Sequence, residues 1–113
     1  MEAAHAVDAL GALAQEHRLA VFRLLVQSGA EGLPAGAIAE RLAIPNSSLS
    51  FHLAQLHRAG LVSQERRHRS LIYRADYPAM NALVAYLLEN CCGGAVSCAP
   101  AAVCLPSQER ESA

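Results

Sequence analysis

Ser47-Ser48-Leu49-Ser50-Phe51-His52-Leu53-Ala54-Gln55-Leu56-His57-Arg58-Ala59-Gly60-Leu61-Val62 has the pattern of a two-faced helix that ends in a glycine turn. A tight turn, Ala43-Ile44-Pro45-Asn46, precedes it. Pro45 disfavours helix at Ile44, and Asn46 or Ser47 can cap a helix that starts there by accepting a backbone N–H. At about 100° per residue, Leu49, His52, Leu53, Leu56 and Gly60 gather on one side of that helix. Ser47, Phe51, Ala54, Gln55 and Arg58 gather on the opposite side, with Ser48 and Ser50 on the flanks. The first side suits a scaffold. The second presents hydroxyls, an amide and a guanidinium outward. The helix is predicted over 47–59, stopped by Gly60.

Upstream, a short helix is predicted over 35–42, with Ile38 and Leu42 inward and Pro34 at its first position. Before it, 16–27 reads as a strong helix with Leu19, Phe22 and Val26 at helical spacing, closed by Ser28-Gly29. The segment 4–13 reads as a further helix, with Val7, Leu10 and Leu13 on one face. Downstream, 61–66 and 70–75 alternate as two strands around the basic turn Arg67-His68-Arg69. Pro78 opens a last helix whose stripe is Met80, Leu83, Val84, Leu87 and Leu88, ended by Gly93-Gly94. The pattern predicts a mainly α chain with a small β-hairpin: a helix-turn-helix followed by a wing. Residues 1–92 form its domain, and 93–113 a flexible tail that contains cysteines.

A chain of 113 residues fits one domain, yet 53% of it is hydrophobic. A domain this small buries a limited share of its surface alone. The surplus apolar residues point to a partner surface, most simply a two-fold homodimer. No apolar run reaches the about 18 residues needed to span a membrane. Glu2, His5 and Asp8 stand where a secretory signal would carry basic residues, so a cytoplasmic chain is expected.

Net charge is −1, but its distribution is uneven. Arg41, Arg58, Arg66, Arg67, Arg69 and Arg74 face a single acid, Glu65, within 41–74, a local charge of +5. Local fields attract a polyanion whatever the total. Duplex DNA is the polyanion that fits. Ser47, Ser48 and Ser50, beside a helix N-terminus, suit phosphates. Gln55 can pair with an adenine edge, Arg58 with guanine or phosphate, and Phe51 with a thymine methyl. His52 falls on the inner edge and suits a structural or phosphate role better than base reading. Arg66, Arg67 and Arg69 suit the flanking backbone or minor groove.

These motifs are similar to those of the ArsR/SmtB family of metal-responsive repressors. Residues 10–25, Leu-Gly-Ala-Leu-Ala-Gln-Glu-His-Arg-Leu-Ala-Val-Phe-Arg-Leu-Leu, resemble that family's opening helices. Residues 47–62 resemble its recognition helix and the Ala-Gly-Leu-Val entry to the wing, and Ile72-Tyr73-Arg74 its return strand. The resemblance covers about residues 7–92 and departs at Phe51, where the family often has arginine or glutamine, and at a wing turn without glycine. It implies a homodimer joined through the first and last helices. It also implies repression from an inverted-repeat operator until an effector binds.

Cys91, Cys92, Cys98 and Cys104 all fall in the last 23 residues. A secreted disulfide scaffold would spread them, so the cluster reads as a metal or redox site. The helix before recognition carries Ala37-Ile38-Ala39-Glu40 and no cysteine, and no histidine follows Asp76, so two of the family's other sensing sites are missing. The run Glu89-Asn90-Cys91-Cys92-Gly93-Gly94-Ala95-Val96-Ser97-Cys98 resembles the subgroup that binds trivalent arsenic through Cys91, Cys92 and Cys98. Three soft thiolates suit As(III), and also Sb(III); methylarsenite needs two. Gly93-Gly94 allows a sharp reversal toward Cys98. Cys104 competes at a loop-closure cost only about 0.6 kcal/mol higher. Idle thiols, a zinc site and a thiol-redox switch remain alternatives. A thiol reductase would need an activating base or a helix N-terminus at the cysteines. None is readable, so no enzyme is expected.

Overall fold

The structure is a computed structural model that describes residues 1–94. Five helices run in order: α1 (Ala3–Leu13), α2 (Glu16–Ser28), α3 (Ala35–Leu42), α4 (Asn46–Arg58) and α5 (Tyr77–Leu87). Three strands accompany them: β1 (Leu33–Pro34), β2 (Val62–Arg67) and β3 (Ser70–Ala75). Single 3₁₀ turns cover Gly29–Glu31 and Cys91–Gly94. The arrangement is the expected winged helix-turn-helix.

The sheet has one strand more than the hairpin read from the sequence, in the antiparallel order β1-β3-β2. Leu33 pairs with Tyr73 and Pro34 with Ile72. Pro34 is therefore extended (φ −74°, ψ 157°) and caps α3 rather than opening it. A proline that cannot donate to a ladder is tolerated at this edge position. Gly32 makes the pairing possible. Its φ is +67°, and a Cβ there would strike the Tyr73 carbonyl and the side chains of Arg74 and Ile72.

The core joins α2, α3, α4 and the base of the wing. Leu25, Ile38, Leu49, Leu53, Leu56, Leu61 and Val21 are fully buried. α4 buries Leu49, His52, Leu53 and Leu56, the inner side expected for it. Its start differs. Pro45 is the N-cap, and no side chain caps the helix; Asn46 is already helical. Its end is a Schellman turn, with Leu61 N–H donating to the Leu56 carbonyl (3.0 Å) and Gly60 N–H to that of His57 (3.0 Å). Gly60, at φ +80°, supplies the left-handed residue that turn requires.

Two helices bury a face other than the one expected. α2 buries Val21, Phe22 and Leu25, leaving Leu19 exposed and Val26 half-buried. That helix is apolar over much of its girth, so periodicity admits two stripes, and packing on α4 and β3 selects one. α1 buries Ala6 and Ala9, whereas Val7 is 66% and Leu10 41% exposed. Small side chains let α1 lie close on the core, which turns its larger ones outward. α5 starts at an Asp76 cap, whose carboxylate accepts the Ala79 N–H (3.0 Å). It stops at Leu87, short of the diglycine, and Asn90 adopts a left-handed φ of 59°. Of its expected stripe, Leu83 is buried, Met80 and Val84 are half-buried, and Leu87 and Leu88 are exposed. No helix among the described residues is long and apolar enough to cross a membrane.

Candidate nucleic-acid interface

The helix-turn-helix is α3, its turn and α4. Ala43 takes the left-handed conformation at φ 55° to close α3. Ile44 then buries itself and donates its N–H to the Ala39 carbonyl (3.1 Å). This locks the angle between the helices and fixes the outward face of α4. Ser47, Ser48, Ser50, Phe51, Ala54 and Arg58 are exposed there, and Gln55 is half-buried. Phe51 is 57% exposed although aromatic. Its ring meets that of His52 edge-on at 5.9 Å.

The wing has two distinct faces, set by the strand period of two. Val62, Gln64 and Arg66 share one face of β2 and pair with Ala75, Tyr73 and Leu71. Val62 and Ala75 are buried, so this is the face turned to the helices. Ser63, Glu65 and Arg67 share the other. There Glu65 holds Arg74 at 2.8 Å and Arg67 at 3.6 Å. Arg74 also donates through Nε to the Ala30 carbonyl (2.6 Å). Two of the six arginines counted as local positive charge are thus engaged by one carboxylate.

A groove runs between α4 and the inner face of the wing. Ser50, Ala54, His57, Arg58, Gln64 and Tyr73 line one part of it. The adjoining part is lined by Ser50, Arg66, Arg69, Ser70, Leu71 and Tyr73, together with Pro34, Ala35 and Gly36. Of the residues chosen from sequence, the structure gathers Ser50, Arg58, Arg66 and Arg69 along this groove. Ser47, Ser48 and Phe51 lie on the exposed surface of α4, and Gln55 on its half-buried edge. Arg67 is on the far face of the wing, and His52 is buried on the scaffold side at 8% exposure. Burial, then Arg18, then His17 hold the His52 pKa below its ordinary value. His57, Gln64 and Tyr73 were missed. Gln64 was findable, since it stands two residues before Arg66 on the same strand face.

The cysteine set straddles the limit of the described residues. Cys91 is half-buried on the 3₁₀ turn after α5, with its N–H donating to the Leu88 carbonyl (2.9 Å). Cys92 follows on the same turn, while Cys98 and Cys104 lie outside the described residues, as does the expected tail beyond 94. Among the described residues, no three His, Cys, Asp or Glu side chains are grouped to hold a metal ion.

Residues 13–65 match the family described as a helix-turn-helix domain. Over 89 residues the chain is 33% identical to the transcriptional activator HlyU of Vibrio cholerae, covering 79% of this chain and 80% of that protein. The solved structure of reduced HlyU from V. cholerae superimposes with a TM-score of 0.62 at 32% identity, covering 79% of this chain and 90% of that one. An ArsR-like transcriptional regulator from Rhodococcus sp. RHA1 gives a TM-score of 0.68 at 28% identity, covering 77% and 78%. The homodimeric winged helix-turn-helix DNA-binding domain of Mb0332 from Mycobacterium bovis, a possible ArsR-family regulator, gives 0.60 at 27% identity, covering 76% and 80%.

Proposed function

The chain belongs to the ArsR-like family of winged helix-turn-helix transcriptional regulators, and from that premise we propose that it is an arsenite-responsive repressor. It binds an inverted-repeat operator as a homodimer and lets go when trivalent arsenic, or antimony, reaches Cys91, Cys92 and Cys98. The observation that carries the effector assignment is the sequence Cys91-Cys92-Gly93-Gly94 with Cys98 six residues after the pair. Three thiolates are a donor set for a soft, three-coordinate ion. Gly93, at φ +70°, already turns the chain just after the pair.

Dimerisation through α1 and α5 is supported by the apolar residues left outward on those helices and at the end of α5, Val7, Leu10, Leu87 and Leu88. The homodimeric state of the Mycobacterium bovis relative supports dimerisation itself. Two reading heads must then sit about 34 Å apart to enter successive major grooves. The cysteines stand directly after α5, so ligation there acts on an element of the dimer and alters that separation.

The test is a mobility-shift titration with DNA from upstream of the chain's own coding region. Arsenite is expected to release the native protein and to leave Cys91→Ser, Cys92→Ser and Cys98→Ser bound. Equal release of all four proteins contradicts the three-thiol site.

A second reading is a thiol-redox switch, favoured by the similarity to HlyU, a protein solved in its reduced form. Two thiols would pass two electrons and two protons to hydrogen peroxide, giving a disulfide and two waters. Release by peroxide and recovery with dithiothreitol, without response to arsenite, would select it.

A further inference from the structure

His52 is the buried polar residue among the described ones, and the groove does not use it. Its surroundings form a chain of contacts from α1 to α4. The Gln15 side chain caps α2 by accepting the Arg18 N–H (2.9 Å). Arg18 Nε donates to the Ala12 carbonyl, near the end of α1, at 2.7 Å. Arg18 Nη1 lies 3.5 Å from Nδ1 of His52. The His17 ring stands 5.6 Å from that of His52. One side chain therefore touches the helix that carries Val7 and Leu10 and the helix that carries the exposed reading face.

A guanidinium only donates. The contact with His52 is a hydrogen bond only while Nδ1 keeps its lone pair, that is, while the imidazole is neutral with its proton on Nε2. A proton at Nδ1 removes the acceptor and sets two cations against each other. His52 also lies one turn from Ser48 and three residues from Gln55, so its displacement moves the surface that meets DNA.

We propose that Arg18 is a positioning residue for the reading head, holding α4 in its DNA-binding pose through neutral His52, and that protonation of His52 loosens this hold. The inference rests on the DNA-binding reading and is independent of the arsenite site.

The charged and titratable groups acting on His52 are Arg18 and His17, both from α2; α1, α3 and β2 also pack on α4, and none of their described side chains is a cause of the His52 shift. Burial, Arg18 and His17 all favour the neutral ring. The unfolded chain thus takes up this proton more readily than the folded one. The contact is complete above about pH 6.5 and is lost as pH falls through the lower, folded value. Comparison with a variant of His52 separates this loss from any other effect of pH on DNA binding.

Fluorescence anisotropy of the full chain on a labelled upstream duplex, at about pH 8 and about pH 5.5, provides the test. The native chain is expected to lose affinity severalfold on acidification, by less than about tenfold per protomer because the His52 pKa lies below its ordinary value. His52→Gln keeps an acceptor but does not titrate. It starts weaker at the higher pH and then shows no acid loss. Arg18→Lys keeps the charge but cannot bridge both acceptors, and weakens binding about threefold to tenfold at the higher pH while its thermal unfolding stays cooperative. Should either variant unfold, amide resonances of Ser50, Phe51 and Gln55 in the native chain decide. They are expected to shift with His52, and fixed resonances contradict the proposal. Identical pH profiles for the native chain and His52→Gln overturn the proposal alone. No binding by the native chain at the higher pH overturns the DNA-binding reading and the proposal with it.

Discussion

α4 and α1 are both amphipathic, and they use their apolar residues in opposite ways. α4 turns Leu49, Leu53 and Leu56 inward and leaves polar groups outside. α1 turns Ala6 and Ala9 inward and leaves Val7 and Leu10 outside. Large buried side chains fill the interior of a single protomer. Large exposed ones on a helix whose alanines already serve the core mark a face made for another surface. α5 combines the two, burying Leu83 and exposing Leu87, with Leu88 exposed just past its end.

Substitutions on the two helices sharpen this contrast. Leu53→Ala removes a fully packed side chain and is expected to cost about 3 kcal/mol in denaturant unfolding. Ala9→Leu forces bulk into the tight contact of α1 with the core and is expected to cost about 2 kcal/mol by the same measurement. Leu10→Asp touches no packed interior. In a protomer kept dilute it is expected to change stability by less than about 0.5 kcal/mol. The same variant should shift sedimentation toward the monomer and weaken operator binding. A loss of protomer stability as large as that of Ala9→Leu would show that the α1 face is part of the core after all.

The two faces of the wing give a smaller contrast of the same kind. Arg66→Ala is expected to weaken DNA binding and flatten its salt dependence by about one phosphate contact per protomer. Arg67→Ala, on the face that holds Glu65, is expected to change the slope by less. Equal slopes for the two variants would place both arginines on the DNA.

The α4 region was legible because its signals agree: a proline turn before it, a glycine after it, and inner residues at spacings of three and four. The wing was legible as alternation, but not its faces, because assigning them requires the register that pairs Gln64 with Tyr73. β1 was invisible, since two residues ending in proline give no strand pattern and depend on β3 for their existence. The buried face of α1 was misread because alanine carries little apolar weight, while Val7, Leu10 and Leu13 make the stronger stripe. Of that stripe Val7 and Leu10 face outward, and Leu13 packs against the core. Arg67 and Arg74 were read as charge available to DNA because Glu65 looks like one acid among many arginines, and only the fold sets it against two of them.

The most direct measurement is the affinity of the full chain for its upstream DNA as a function of salt, with the protein-to-duplex ratio determined at saturation. Two protomers per site and an affinity that falls about a thousandfold or more between about 50 and 200 mM salt are expected if paired wings and reading helices grip phosphates. A single protomer per site, or binding indifferent to salt, would contradict that account.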